Sequence, residues 1–541
     1  MTIDITRESG ATIGGREAGT PIATLLWTRV NAGAAMLAPL VPFIVPALLL
    51  LLWSVAAQRH WMTEQILPAP SFVWETALDL AKGDLWSNLG ISVLRLIGGL
   101  TIGIIAGALL GGLIGLSRRA EALIYPTFIS LVQVPTLAWI PLLMMFLGLG
   151  EALKIAVIVK AVITPVTIQT WIGVRDIEPK LREAAQALRL PLHLQFTHLI
   201  LPAAFPSFMT GVRLALAQGW TSLLAVELLA SSEGIGFLMV WGRQLFQLDV
   251  VFVCIFVIAI VGLAMDRGFH QIEALLLKWP RPALAQNKAS RHGPGWQWSL
   301  ALPIALLALW SIATQLGWLD TRLVPAPWTV LASLYSSLTD GTMATSLSAS
   351  LQRYCFGLAI GVGTAMIVGL ALGLVRPLDR LLSGTLTVLR LVAVFAWLPL
   401  LTAWVGLGEA AKVTFIAIAC FFPMQVATER GILNLSPQLT EAAQTLRLRL
   451  PQRLRYLVLP GAAPSMFAGL RLAMVQAWIG TVGAEYFISS GAGIGSFMIN
   501  AGQLFRMDLI MSAMVLVGIT ATLIAFAGQK IEQGATQWRQ A

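Results

Sequence analysis

The strongest constraint on this chain is that one unit is written twice. Pro68-Ala69-Pro70 returns as Pro325-Ala326-Pro327, 257 residues later. Trp139-Ile-Pro-Leu-Leu returns as Trp397-Leu-Pro-Leu-Leu, and Gly148-Leu-Gly-Glu151 as Gly406-Leu-Gly-Glu409, both offset by 258. Between Glu183 and Pro202, 11 of 20 positions equal their counterparts in Glu441 to Pro460. Solenoid repeats recur every ~20–50 residues. A period five times longer means two fused, homologous halves.

Each half is too apolar to be a soluble domain. Of the 541 residues, 57% are hydrophobic and 11% charged, against about 25% charged in soluble domains. This excludes disorder, a disulfide scaffold and an ordinary soluble enzyme. Apolar runs long enough for membrane helices fall near 33–57, 88–116, 122–148, 152–174, 205–229 and 249–270. In the second half they fall near 299–318, 347–374, 381–406, 410–432, 463–487 and 508–528. The expected fold is an all-α polytopic membrane protein. The expected divisions are an N-tail over 1–32, a first half over 33–277, a linker over 278–298 and a second half over 299–541. Six spans per half give both halves one orientation, as parallel repeats about an axis along the membrane normal.

The net charge of +10 is read as topology and not as nucleic-acid binding. Basic residues collect on one side: Arg118 and Arg119, the 175–198 loop, the linker (Lys278, Arg281, Lys288, Arg291), Arg376 and Arg380, and the 434–456 loop. The 58–85 segment on the other side is acidic, with Glu64, Glu75, Asp79 and Asp84 against Arg59 and Lys82. The positive-inside rule then places both termini in the cytoplasm. The polar first 32 residues are not a signal peptide. Cys254, Cys355 and Cys420 lie in apolar runs with no motif spacing and are read as core residues.

The loop between spans four and five is about 30 residues long and repeated in both halves. Leu181, Ala184, Ala185 and Leu188 recur at helical spacing, with Lys180, Arg182 and Arg189 on other faces. Two readings are open on the residues alone: an interfacial helix lying on anionic lipid, or a docking helix for a cytosolic partner.

Glu183-Ala184-Ala185, with Leu201-Pro202 placed 16 residues beyond Ala185, resembles the EAA loop of permease subunits of ATP-binding-cassette (ABC) importers. Glu441-Ala442-Ala443 with Leu459-Pro460 repeats the spacing. The family pattern has Gly four residues after the second Ala, where this chain has Arg189 and Arg447. Trp139-Ile-Pro-Leu-Leu, Glu227-Leu-Leu-Ala-Ser-Ser232 with Gly234-Ile-Gly236, and Glu485-Tyr-Phe-Ile-Ser-Ser490 with Gly493-Ile-Gly495 look like the nitrate/sulfonate/taurine-type permeases. The resemblance implies a type I importer fold with both permease halves in one chain. It implies two copies of an ABC ATPase, which would bind ATP and Mg, and an extracytoplasmic solute-binding protein. It implies ATPase coupling through Glu183, Ala184, Ala185, Arg189, Glu441, Ala442, Ala443 and Arg447. The setting would be a bacterial cytoplasmic (inner) membrane.

No cofactor or metal site and no catalytic residue is expected in the chain itself. The nearest string to a phosphate-cradling loop, Gly406-Leu-Gly-Glu-Ala-Ala-Lys412-Val, lacks the second Gly and the hydroxyl. Charges within spans are candidates for the solute pathway. Lys160 in span four has Ile418 as its counterpart in the repeat, and Arg390 in span three has Val132. Both suit an anionic solute; the other reading is a contact to a carbonyl or acid within the bundle. Glu227 and Glu485 could gate the path, contact the binding protein or form structural pairs. The matched Arg95/Arg353 and Arg213/Arg471 are read as snorkelling from span ends. The rival hypothesis is a secondary transporter with six plus six parallel spans, as in the major facilitator fold. It leaves the paired EAA-type loops without a role.

Overall fold

The computed structural model describes residues 41–277, 296–488 and 490–537. The expected N-tail and most of the expected linker, with its four basic residues, lie outside them. The first half comprises α1 (Val41–Gln58), α2 (Pro70–Lys82), α3 (Leu85–Leu116), α4 (Arg118–Gln133), α5 (Ile140–Leu147), α6 (Glu151–Arg175), α7 (Pro179–Ala187), α8 (Leu201–Ala230), α9 (Ile235–Gln244) and α10 (Leu248–Leu276). The second repeats the series as α11 (Trp296–Gln315), α12 (Pro327–Thr339), α13 (Thr342–Leu374), α14 (Arg376–Leu391), α15 (Leu398–Val405), α16 (Glu409–Leu433), α17 (Pro437–Thr445), α18 (Leu459–Phe487), α19 (Ile494–Gln503) and α20 (Met507–Thr536). Among the described residues nine helices are long and apolar enough to cross a membrane, or eleven if each bent pair is one span.

Helix direction follows from the packing of α3 on α6. Gly99, Gly103, Gly107, Gly111 and Gly115 stand one turn apart on α3 and meet Ile158, Val162, Val166, Thr170 and Val174 of α6 in the same order. The two helices therefore run parallel. A Cβ added at Gly99 would lie 2.4 Å from Ile158. The small-residue stripe is what lets the backbones approach, as is common between membrane helices. Gly357, Gly361, Gly369 and Gly373 of α13 repeat the stripe against α16.

Because α3 and α6 are parallel, the chain between them must cross back. It does so bent. The expected straight spans 122–148 and 381–406 are each two helical segments, at 90° in the first half and 94° in the second. Pro135 explains the first break. It has no N–H to donate and pushes Val134 out of the helical region, to φ −74°, ψ 115°. The second break falls at Val392-Ala393 with similar angles and no proline.

The halves exchange contacts reciprocally. The first span of each, α1 or α11, packs on the bent span of the other, α14 or α4. The last span of each, α10 or α20, packs on the same partner's bent span. Leu137 of the first half and Phe395 of the second both approach Gly483, so the core is continuous across the junction. Leu94, Ile105, Leu109, Phe356, Ile367 and Phe526 are exposed on the outward faces, as expected of side chains that meet lipid. Cys355 departs from its expected core position. It is exposed, on a face of α13 turned away from the glycine stripe.

Candidate functional site

At the end of the bundle opposite α7 and α17, each half has a charge cluster whose arginine, lysine and one glutamate are buried and whose other glutamate is exposed. Arg95 grips Glu151 with two hydrogen bonds, Nη2 to Oε1 at 2.6 Å and Nε to Oε2 at 2.7 Å. Its Nη1 donates to Glu227 Oε1 at 2.8 Å and to the Glu233 carbonyl at 2.8 Å. Ser92 donates to Glu227, the Gly236 amide donates to Glu227 Oε2 at 3.0 Å, and Lys154 donates to Glu151 at 2.6 Å. Buried charge is tolerable only when paired and hydrogen-bonded in this way. The Glu227 carboxylate lies so close that a Cβ on Gly234, at φ 108°, would sit 2.4 Å from it.

The second half repeats the cluster. Arg353 holds Glu409 through Nη2 at 2.8 Å and through Nε, and Glu485 at 2.6 Å. Ser350 and the Gly495 amide donate to Glu485, and Lys412 to Glu409 at 3.2 Å and to the Ser490 carbonyl. Arg95 and Arg353 thus do not snorkel, as their place near span ends suggested. They are 4% and 6% exposed and tie three helices and the following turn together. Arg213 and Arg471 are about half exposed and pair with Asp266 and Glu532.

At mid-bundle, Lys160 donates to the Val134 carbonyl at 2.7 Å and to Thr136 Oγ1 at 3.3 Å. That carbonyl ends α4 at the break, where a cation is favoured. Nearby, a cavity of about 400 Å³ lies between the halves. Arg390, Asp266 and Arg213 are its charged lining residues, and Lys160 is behind the wall beside Ala161 and Thr136. Glu227 and Glu485 belong to the far-end clusters and do not reach it.

At the opposite end stand the EAA helices. Ala185 and Ala443 are buried against the bundle, whereas Glu183, Ala184, Glu441 and Ala442 are exposed. Leu181 and Leu188 flank Ala184 on the outward face of α7, and Leu188 is 71% exposed. Leu439 and Leu446 flank Ala442 likewise on α17. Arg182 ties α7 to the end of α6 by donating to the Val174 carbonyl at 2.6 Å. Where the EAA pattern has glycine, Arg189 and Arg447 adopt φ 47° and 46°. The turn is kept: Leu190 N donates to the Ala185 carbonyl and Arg189 N to that of Gln186, which is the Schellman closure of a helix end.

Pro202 and Pro460 stand in the first turn of the span-five helices α8 and α18, and each helix continues a longer helical run, His193–Ala230 of 38 residues and Pro451–Phe487 of 37. A single π turn, Phe196–Ile200 or Leu454–Val458, precedes the proline. In the first, the Leu201 amide bonds the Phe196 carbonyl. Widening by one residue makes room for the ring where a regular turn would clash.

The family model for the binding-protein-dependent transport system inner membrane component matches the chain twice, over residues 99–277 and 360–531. Among curated proteins, the putative aliphatic sulfonates transport permease protein SsuC of Escherichia coli (strain K12) is 37% identical over 250 residues, 46% of this chain and 95% of the relative. SsuC of Bacillus subtilis (strain 168) is 35% identical over 237 residues, 44% of this chain and 86% of the relative. The taurine transport system permease protein TauC of Escherichia coli (strain K12) is 31% identical over 239 residues, 43% of this chain and 87% of the relative. Each relative is matched along most of its length by less than half of this chain.

Proposed function

The chain belongs to the family of binding-protein-dependent transport system inner membrane components, and from that premise we propose that it is the fused permease of an ABC importer for small organic anions of the sulfonate class. It is a transporter subunit of the membrane, not an enzyme. Two copies of an ATPase, carrying ATP and Mg, dock at α7 and α17. An extracytoplasmic binding protein delivers solute to the far end. The chain then lies in a bacterial cytoplasmic membrane with both termini in the cytoplasm, in agreement with the basic loops.

The observation that carries this reading is the pair of exposed apolar helix faces, Leu181-Ala184-Leu188 and Leu439-Ala442-Leu446, at one end of the bundle. Exposed apolar clusters rimmed by charge mark protein contacts, and small alanines admit close approach. Each face is tied to a long helix. At 1.5 Å per residue, the run His193–Ala230 is roughly 57 Å long. It reaches from the docking loop to the Glu227 cluster. Closing the ATPase dimer would draw α7 and α17 together and tilt these helices as rigid bodies. A secondary transporter of six plus six spans would need no such paired faces.

The test is the double variant Glu183→Lys with Glu441→Lys. Both carboxylates are exposed, so the bundle should fold. Co-purification with the candidate ATPase and binding-protein-stimulated ATP hydrolysis should both be lost. A double variant that still binds the ATPase and transports at the normal rate would remove α7 and α17 from the coupling path.

A further inference from the structure

We propose that the cavity between the halves is a solute site inside the membrane, binding one monoanionic head group at Arg390 and an apolar tail against the facing wall. The inference rests on the importer reading above and narrows its solute class.

The charge count points to an anion. Of the three charged lining residues, Arg213 and Asp266 are hydrogen-bonded to each other at 2.9 Å, and Arg213 also pairs with Glu273, outside the lining, at 3.8 Å. Arg390 is exposed and forms no ion pair among the described residues. It therefore presents a cation with no paired acid to the cavity. A site retaining one favours a ligand of opposite sign. A guanidinium presents paired N–H groups that match the oxygens of a carboxylate, phosphate or sulfonate. Gln218 and Gln476, one at the same position of each half, also line the cavity, together with Thr221 and Ser222. They add neutral polar groups without adding charge.

The rest of the wall sets the tail. Leu216, Met265, Phe395, Ile418, Phe422 and Ile479 line the space, and about 400 Å³ is far more than a small inorganic anion fills. The one acidic residue in the wall, Asp266, is engaged by Arg213. An ammonium group on the solute would therefore compete with Arg213 for the single carboxylate. The preferred ligand is an alkyl or aryl oxyanion. An amino-sulfonate, or an inorganic anion such as nitrate, fits less well.

The experiment is equilibrium dialysis of radiolabelled butane-1-sulfonate against the intact permease–ATPase assembly in lipid nanodiscs, with no binding protein added. Saturable binding of one probe per assembly is expected, displaced more weakly by taurine and by nitrate. Arg390→Gln should weaken it at least about tenfold, the worth of a charge-assisted hydrogen bond, and Arg390→Lys by a smaller factor. Ile418→Trp fills the tail space without touching the charge, and should weaken binding independently of how Arg390→Gln behaves. Absence of saturable binding, or binding unchanged in both Arg390→Gln and Ile418→Trp, overturns the site. Taurine binding as tightly as butane-1-sulfonate overturns the tail assignment. ATP-driven uptake with the binding protein present, measured in parallel, separates the two claims: uptake without dialysis binding sinks the cavity site alone, and no ATP-driven uptake of any solute sinks the importer reading.

Discussion

The far-end clusters and the mid-bundle breaks make an instructive pair. In the clusters the two halves agree side chain for side chain: Ser92, Arg95, Glu151, Lys154 and Glu227 answer to Ser350, Arg353, Glu409, Lys412 and Glu485. At the breaks they do not. The first break is made by Pro135 and held by Lys160, whereas the second has Ala393 and Ile418 at the matching places. Both break at about 90° all the same. The bend thus does not require a proline, and local chemistry supplies one in the first half only. Duplication has preserved what buries charge and relaxed what merely bends.

The largest expected effect tests the sameness of the clusters. Arg95→Met should leave Glu227 buried without its cation and destabilise the protein by about 3–5 kcal/mol, and Arg353→Met should do the same through Glu485. Thermal unfolding of both variants in detergent would show it. A loss in one half alone would mean that the clusters are alike in geometry and not in energy.

A smaller effect tests the difference at the breaks. The Val134 carbonyl that receives Lys160 should make residues 134–139 open less often than 392–397. Lys160→Met should erase that gap, at on the order of 1 kcal/mol or about fivefold in amide exchange. Exchange read by mass spectrometry decides it. A gap that survives the substitution would assign the difference to Pro135.

The smallest effect concerns the turns at Arg189 and Arg447, where the halves should again agree. A non-glycine residue in the left-handed region costs roughly 1–2 kcal/mol. Arg189→Gly and Arg447→Gly should each stabilise the turn by about 1 kcal/mol. Urea midpoints of the single variants measure it. Destabilisation would show that the arginine side chains hold the turn more firmly than their backbone strains it.

Much of this architecture was legible in the sequence because the offset of 258 doubles every signal. The apolar runs, the halves and the amphipathic EAA helices all appear twice. The second break was not legible, since Val392-Ala393 carries no breaker. The clusters were legible in part. Ser92-x-x-Arg95 and Glu151-x-x-Lys154 both recur at the same offset, and matched charges in apolar helices call for partners. Reading Arg95 and Glu227 separately hid the pair, because 132 residues part them. The four-residue glycine rhythm of α3 was likewise in plain view, as a sign of close parallel packing.

Two identical permease subunits around a shared axis can place a given side chain at their junction only in even numbers. A cation beside the axis would face its own image, and the two would repel across whatever they enclose. A single chain escapes that parity. Val132 stands where Arg390's image would be, so the junction has an odd charge count that no half-length relative pairing with itself could reproduce. Joining the halves gives more than a fixed one-to-one ratio: it lets the junction be polar crosswise, with a guanidinium on one side and a valine at the matching place on the other.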